Sequence, residues 1–282
     1  MKSKLDCALT FLTNYLSLWR CPICHEPFQQ VSGHSLVCPH NHWFDVNKKG
    51  TINFLNHQVK TEYQQDMFVH RRHLLQAGFF TPFLQELATY LVPGSNVIDV
   101  GCGEGTPTQL LSQLVAGNYV GFDIAKDGIN LATQQNTHCF FCVADLTNLP
   151  FNDGTINAVV DIFSPSAYHE FNRVLAPDGQ ILKIIPNSGY LHELRQALFS
   201  GEDKGSYDNH DILQRFMDTY PHATQQIIQY QFALNHDTFN DLIAMTPLTW
   251  RASAQQLAQL QAQPLTTISV DVTLLVAKKS CF

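Results

Sequence analysis

Apolar residues recur along this chain at two different spacings, and the alternation between them lays out an α/β protein. Leu5, Leu9, Leu12, Leu16 and Trp19 fall at helical spacing, so the first twenty residues read as a short amphipathic helix. Val97-Ile-Asp-Val100 is mostly β-branched and runs into Gly101, Gly103 and Gly105, after which Thr108 to Val115 is amphipathic. That succession predicts a buried parallel strand, a tight turn and a helix, with glycines where a Cβ would keep backbone away from a ligand. Thr81 to Leu91 reads as a helix that Pro93-Gly94 stops. A second strand ends at Gly121-Phe-Asp123, and Gly128 to Gln135 follows as a helix. Cys139–Ala144, Ile156–Phe163 and Ile181–Ile185 read as further strands, with Tyr168–Leu175 a helix and Pro177-Asp-Gly179 a turn. Val46 to Phe83 has the look of a linker, residues 203–240 that of a variable connection and helix, and Ile268 to Val276 that of a late antiparallel strand.

In doubly wound sheets the ligand lies at the carboxyl end of the first strand, and a carboxylate about 20 residues on binds ribose hydroxyls. Asp123 occupies that place. The glycine spacing is G-x-G-x-G, not the G-x-G-x-x-G of dinucleotide binders, and Glu104 lies inside the turn. An acid there would repel a pyrophosphate but suits a cationic sulfonium or an adenosine. With Asp99 before it, the D-x-G-C-G-E-G pattern resembles motif I of class I S-adenosylmethionine-dependent methyltransferases. The resemblance implies a Rossmann-like, mostly parallel α/β sheet. It also implies a cofactor site built from Phe80, Asp99, Gly101, Cys102, Gly103, Gly105, Asp123, Asp145, Leu146 and Tyr190.

A separate chemistry sits near the N-terminus. Cys21-Pro-Ile-Cys24, thirteen residues, then Cys38-Pro-His-Asn-His42 spells C-x2-C-x13-C-x3-H. Thiolates on tight turns can share one tetrahedral ion, and a facing pair completes the set. Gly33 lies midway, where a hairpin tip belongs, and His42 is preferred to His40, whose C-x-H spacing would pinch the chelate. Three cysteines and one histidine describe a closed, structural zinc site. Cys139 and Cys142 imitate a CxxC, but strand alternation sends their thiols to opposite faces.

Composition narrows the picture further. At 282 residues and 45% hydrophobic, the chain can bury one full core plus a small accessory module. No run approaches the roughly 18–20 apolar residues of a membrane span. Asp6, Thr10, Thr13 and Asn14 interrupt the first apolar stretch, arguing against a signal peptide and for a cytoplasmic address. The net charge is −7, yet residues 1–73 carry +3 and seven of the thirteen histidines, while the remainder carries −10. A basic, histidine-rich module on an acidic domain is either ordinary surface charge or a carrier of nucleic acid.

Local patterns favour the second. Phe44, Asp45, Gly50, Asn53 and Leu55 match an F-D-x-x-x-x-G-Y-x-N-L-L segment; Asp66, Met67, Arg71, Gly78 and Pro82 match D-M-x-x-x-R…G-x-Y-x-P; Met245-Thr-Pro-Leu-Thr-Trp250 matches M-x-P-x-x-W. Together they resemble the 23S ribosomal RNA (guanine-N1)-methyltransferases from Cys21 onward. Three departures stand out: Phe80 replaces a tyrosine, Tyr190 replaces a histidine, and a lysine-rich tract before the D-M element is thin.

With the helix that spacing gives over 1–20, the resemblance implies a zinc-binding RNA-recognition module over 21–60 and a methyltransferase domain over 61–282. It implies methyl transfer from S-adenosylmethionine to N1 of a guanine in a 23S ribosomal RNA hairpin loop. Members of the family pair, so it also implies a homodimer, for which the residues give no argument of their own. Asp161 and the backbone carbonyls of Ser164 and Pro165 are the catalytic candidates by position, and Lys48, Lys49, Arg71 and Arg72 are the candidate phosphate contacts. Two other readings stay open at this point: a small-molecule methyltransferase of the same fold, and a non-catalytic RNA-binding adaptor.

Overall fold

A computed structural model describes residues 2–57, 59, 65–135, 138–199 and 208–279. Helix α1 (Lys4–Asn14) starts where Ser3 and Asp6 cap one another, side chain to backbone in both directions, and it buries Ala8 and Leu12. Strands β1 (Gln30–Ser32), β2 (Ser35–Val37) and β3 (Trp43–Asp45) make a small antiparallel sheet, and Gly33 sits in the two-residue turn between the first two.

The remaining elements run β4 (Thr51–Asn53), α2 (Gln65–Gln76), α3 (Thr81–Ala88), β5 (Asn96–Val100), α4 (Thr106–Leu114), β6 (Asn118–Asp123), α5 (Lys126–Ala132) and β7 (Phe140–Val143). They continue as β8 (Ile156–Ile162), α6 (Tyr168–Val174), β9 (Leu175–Pro186), α7 (His192–Phe199), α8 (His210–Thr219), β10 (Thr224–Ala233), α9 (His236–Met245), α10 (Ala254–Ala262) and β11 (Thr267–Lys278). Their strands form one eight-stranded sheet in the order β10-β11-β9-β8-β5-β6-β7-β4. Every pair from β9 to β4 is parallel, and β11 is antiparallel to both of its neighbours. The chain order reverses between β5 and β8, so the ligand crevice lies beyond their carboxyl ends.

Two stretches differ from the sequence reading. Val46–Phe83, read as a linker, contains β4 and α2, and β4 pairs with β7 as the edge of the large sheet. Part of 203–240 lies outside the described residues; the rest holds α8 and β10. Glutamines hide β10: its faces alternate between half-buried and exposed rather than between buried and exposed, so the hydrophobic contrast is weak.

The N-terminal module shares a core with the large sheet. Trp19 is fully buried, stacks on Phe54 at 5.6 Å between centroids and meets Phe151 at 5.0 Å and Phe140 at 5.3 Å. Backbone joins follow the same seam: the Arg20 N–H donates to the Pro150 carbonyl at 3.1 Å and the Asn152 N–H to Leu18 at 2.8 Å.

Candidate cofactor cleft and zinc centre

All three glycines of the turn after β5 take left-handed φ, +64°, +57° and +81° in chain order. A Cβ on Gly101 would strike the Ser164 side chain, and one on Gly105 would lie 2.8 Å from the Phe141 ring and 2.9 Å from Ala132. Only glycine satisfies both the backbone and the crowding. The Gly103 N–H donates to Asp123 Oδ2 at 2.9 Å and the Ala125 N–H to Oδ1 at 2.7 Å, so the carboxylate at the end of β6 is fastened to the turn. Burial raises Asp123 above its usual range, against the pull of those N–H groups. Asp99 is wholly buried, accepts from the Thr108 hydroxyl at 2.5 Å, and is pushed by burial up to about 7. Cys102 is buried behind the turn.

Helix α2 closes over this loop. Arg71 and Arg72, the candidate phosphate contacts, have side chains 17% and 15% exposed, and both turn to Glu104. Arg71 Nε lies 3.7 Å from Glu104 Oε1, and its guanidinium rests over the Phe80 ring at 5.4 Å. Arg72 Nε lies 3.5 Å from Oε2 and its Nη2 donates to the Glu104 carbonyl at 3.2 Å. Phe80, Phe163 and Tyr190 form a ring cluster beside them, with centroids 5.6 Å and 5.1 Å apart in turn. Phe163 (φ 59°) and Leu191 (φ 56°) are both left-handed without being glycine, a strain that collects at functional sites. Phe163 and Leu191 are what sequence reasoning misses, and it gives Arg71 only as a phosphate contact; the approach of α2 to the turn is a tertiary fact that no local spacing records.

Asp145 ends β7 half-buried beside Leu146, and its Oδ1 accepts from both the N–H and the hydroxyl of Thr147 at 2.8 Å. It also lines a small cavity with Pro22, Ile23, Phe54 and Asn148, and Asn148 Nδ2 donates to the Pro22 carbonyl at 2.8 Å. The first zinc-knuckle turn therefore abuts the end of β7.

Asp161, a catalytic candidate by position, lies beneath the Ser164-Pro165-Ser166 loop. It is fully buried, and its Oδ2 accepts from Lys183 Nζ at 2.7 Å and Ser166 Oγ at 2.6 Å, while Oδ1 accepts from the Ser164 N–H at 3.2 Å. Burial raises it, and Lys183 pulls the other way. Lys183 also donates to the Ser164 carbonyl at 2.9 Å. The ion pair holds the Ser164-Pro165-Ser166 loop from beneath; Pro165 is exposed at its tip and Ser164 half-buried.

The four predicted metal ligands converge. Cys21 Sγ and Cys38 Sγ lie 3.4 Å and 3.3 Å from His42 Nδ1, and Cys24 Sγ lies 3.6 Å from Cys38 Sγ. A tetrahedron with Zn–S of about 2.3 Å and Zn–N of about 2.0–2.1 Å has edges of about 3.5–3.8 Å. The donor set fits zinc with small adjustments. Backbone N–H groups of Ile23 and His42 point at Cys21 and Cys38 sulfurs, the outer contacts that steady thiolates. His25, His34 and His40 are exposed and outside the cluster. Lys48 and Lys49 are exposed, Lys49 donating to Asn130 Oδ1 at 2.9 Å. Among the described residues no helix is long and apolar enough to cross a membrane.

Comparison with known proteins places both halves. Residues 19–62 match the family described as RlmA, N-terminal, and residues 97–179 match the methyltransferase domain family. YxjB of Bacillus subtilis (strain 168), provisionally named a 23S rRNA (guanine-N(1)-)-methyltransferase, is 35% identical over 278 residues, covering 93% of this chain and 98% of that one. The 23S rRNA (guanine(748)-N(1))-methyltransferase of Streptomyces fradiae is 26% identical over 273 residues, covering 92% of this chain and 97% of that one. Sheet order, glycine turn, Cys3His cluster and full-length similarity agree: the chain belongs to the 23S rRNA (guanine-N1)-methyltransferase family, an S-adenosylmethionine-dependent class I fold carrying an N-terminal zinc ribbon.

Proposed function

We propose that this chain moves the methyl group of S-adenosylmethionine to N1 of a guanine in a hairpin loop of 23S ribosomal RNA. The observation that carries the reading is the seam: the zinc knuckle is packed against the strand end that bounds the cofactor crevice, so one surface presents RNA and cofactor together. S-adenosylmethionine supplies a methyl group already activated on a sulfonium, which leaves the protein to align the reactants and exclude water.

Asp123 is suited to the ribose hydroxyls, since two backbone donors leave its carboxylate with acceptor sites to spare. Asp145 and Leu146 border the adenine end. Arg71, whose charge bears on Glu104, Asp99 and Asp123 alike, is suited to the methionine carboxylate, a role in place of phosphate contact. Phe80 and Tyr190 offer ring faces toward a sulfonium.

Guanine N1 must lose a proton on methylation. Asp161, charge-balanced by Lys183 and bonded three times, acts as a positioning residue for the Ser164–Pro165 loop. The carbonyls of Ser164 and Pro165 accept from N1–H and the 2-amino group as the base docks, and the N1 proton then leaves to water as the N1–CH3 bond forms and the S–CH3 bond of the sulfonium breaks. A carbonyl has two lone pairs, so Lys183 does not exhaust Ser164. The target base reaches this edge only when unstacked from its loop. Lys48 and Lys49 contact phosphate, and Trp43, 56% exposed on β3 of the zinc module, gives a stacking face for a neighbouring base. A cytoplasmic address follows from the substrate, and sedimentation of the full chain tests the homodimer.

The direct test is transfer of labelled methyl from S-adenosylmethionine to purified 23S RNA lacking the modification, followed by nucleoside mass spectrometry. Label in 1-methylguanosine is the expected product. Cofactor binding without RNA labelling would overturn the RNA assignment and bring forward a small-molecule substrate or an adaptor.

A further inference from the structure

Helix α2 carries a second group of metal-type ligands that neither the cleft nor the zinc ribbon uses. His70 and His73 lie three residues apart, hence on one helix face, and α9 packs there with Asp241 turned between them. His70 Nδ1 is 2.7 Å from Asp241 Oδ1 and His73 Nδ1 is 3.6 Å from the same oxygen. All three ligand atoms fall within 4.8 Å of one another. Ligands held about 2.1 Å from a shared transition-metal ion stand about 3.0–3.4 Å apart, so the two observed distances bracket the requirement.

The alternative is a plain helix–helix hydrogen bond from His70 to Asp241. That accounts for one imidazole only. His73, at 3.6 Å, is too far for a hydrogen bond yet has its Nδ1 turned to the same oxygen, and the two rings stand at 84° rather than stacked. The carboxylate is 12% exposed while the imidazoles are 40% and 56% exposed, so the carboxylate forms a floor reached from solvent past the two imidazoles. An open groove lined by His73, Asp237, Thr238, Asn240 and Asp241 adjoins the trio. Asp237 stands one turn before Asp241 on the same helix face and borders this groove.

We propose that His70, His73 and Asp241 bind a divalent transition-metal ion of the zinc class through two imidazoles and one carboxylate. Its structural consequence is to tie α2 to α9 outside the cleft. Helix α2 is the element whose Arg71 and Arg72 reach Glu104, so the ion braces the cover of the glycine turn.

The test uses the full chain with its Cys3His site filled, dialysed against buffered Zn2+ and analysed for bound metal. Wild type is expected to take up a second equivalent and to melt at higher temperature as it does so. The double variant His70→Asn/His73→Ala should hold a single equivalent with no second rise in melting temperature. The amide introduced in place of the His70 imidazole can still donate to Asp241, so the helix contact survives. With Co2+ the second equivalent should add absorbance without a thiolate charge-transfer band, separating it from the cysteine site. Saturation of wild type at one equivalent, or equal retention of the second by the double variant, would overturn the assignment.

Discussion

Glu170 and Glu104 are both buried beside two arginines, yet their carboxyls lie on opposite sides of the ordinary range. Glu170 accepts from Arg173 Nε at 2.6 Å and Nη2 at 2.7 Å, and from the Leu149 N–H at 2.7 Å. Burial pushes Glu170 up, but these partners outweigh it and the carboxyl is held low. Glu104 has the Thr106 hydroxyl at 2.6 Å on Oε2, its arginines only at 3.5 Å and 3.7 Å, and no hydrogen bond on Oε1. There burial wins and the carboxyl is raised. The difference is pairing geometry together with the deeper burial of Glu104. A saturated network fastens the module, through Arg20, to the sheet; a slack one in the cleft keeps Arg71 with bonding capacity for an anionic ligand.

Breaking each glutamate gives the largest expected contrast. Glu170→Gln leaves the arginine charges poorly compensated and should cost about 3–5 kcal/mol by urea denaturation. Glu104→Gln should change stability by less than about 1 kcal/mol, since little pairing is lost. Equal costs would dissolve the distinction.

Cofactor affinity sharpens it next. Arg71→Ala should weaken S-adenosylhomocysteine binding about 10–100-fold by calorimetry, about 1.4–2.8 kcal/mol, with unfolding nearly unchanged. Unaltered affinity would return Arg71 to a purely structural role.

The pH dependence of stability should separate the groups by sign. Glu170, depressed below 4.5, contributes stability that is present above 4.5 and lost as pH falls through its folded value. Glu104 and Asp99 are raised, so their contributions are present at low pH and lost as pH rises, for Asp99 between 3.8 and about 7. In urea titrations Asp99→Asn should flatten that interval and Glu170→Gln the acid limb; the opposite slopes would refute the pairing contrast.

The smallest effect is expected on the exposed rim. Replacing Lys48 and Lys49 by alanine should weaken RNA binding evenly across sequences and lower the salt slope by about 1 per phosphate contact, leaving cofactor affinity alone. A change in cofactor affinity would place these lysines in the cleft instead.

What the sequence made legible was what local spacing encodes. Cys21, Cys24, Cys38 and His42 could be grouped because each chelating pair is joined by a short turn, and Gly101–Gly105 because strand, turn and helix are consecutive. What stayed hidden depends on elements meeting across long separations. Lys183 is 22 residues from Asp161, so their ion pair beneath the Ser164 loop could not be read from local spacing. Arg71 and Arg72 read only as candidate phosphate contacts because nothing near them in sequence foretells that α2 folds over Glu104. Strand β10 hid behind glutamines for a different reason: an edge strand needs only half-buried positions on its inner face.

Methyl transfer by a cleft that Arg71 helps to fill is the central claim. The measurement is a steady-state assay of labelled S-adenosylmethionine with unmodified 23S RNA, run side by side for wild type and Arg71→Ala and read as 1-methylguanosine. Wild type should form that nucleoside, and the variant should form it with KM for the cofactor raised about 10–100-fold and kcat largely kept. No 1-methylguanosine from the wild-type chain, or an unchanged KM in the variant, would contradict it.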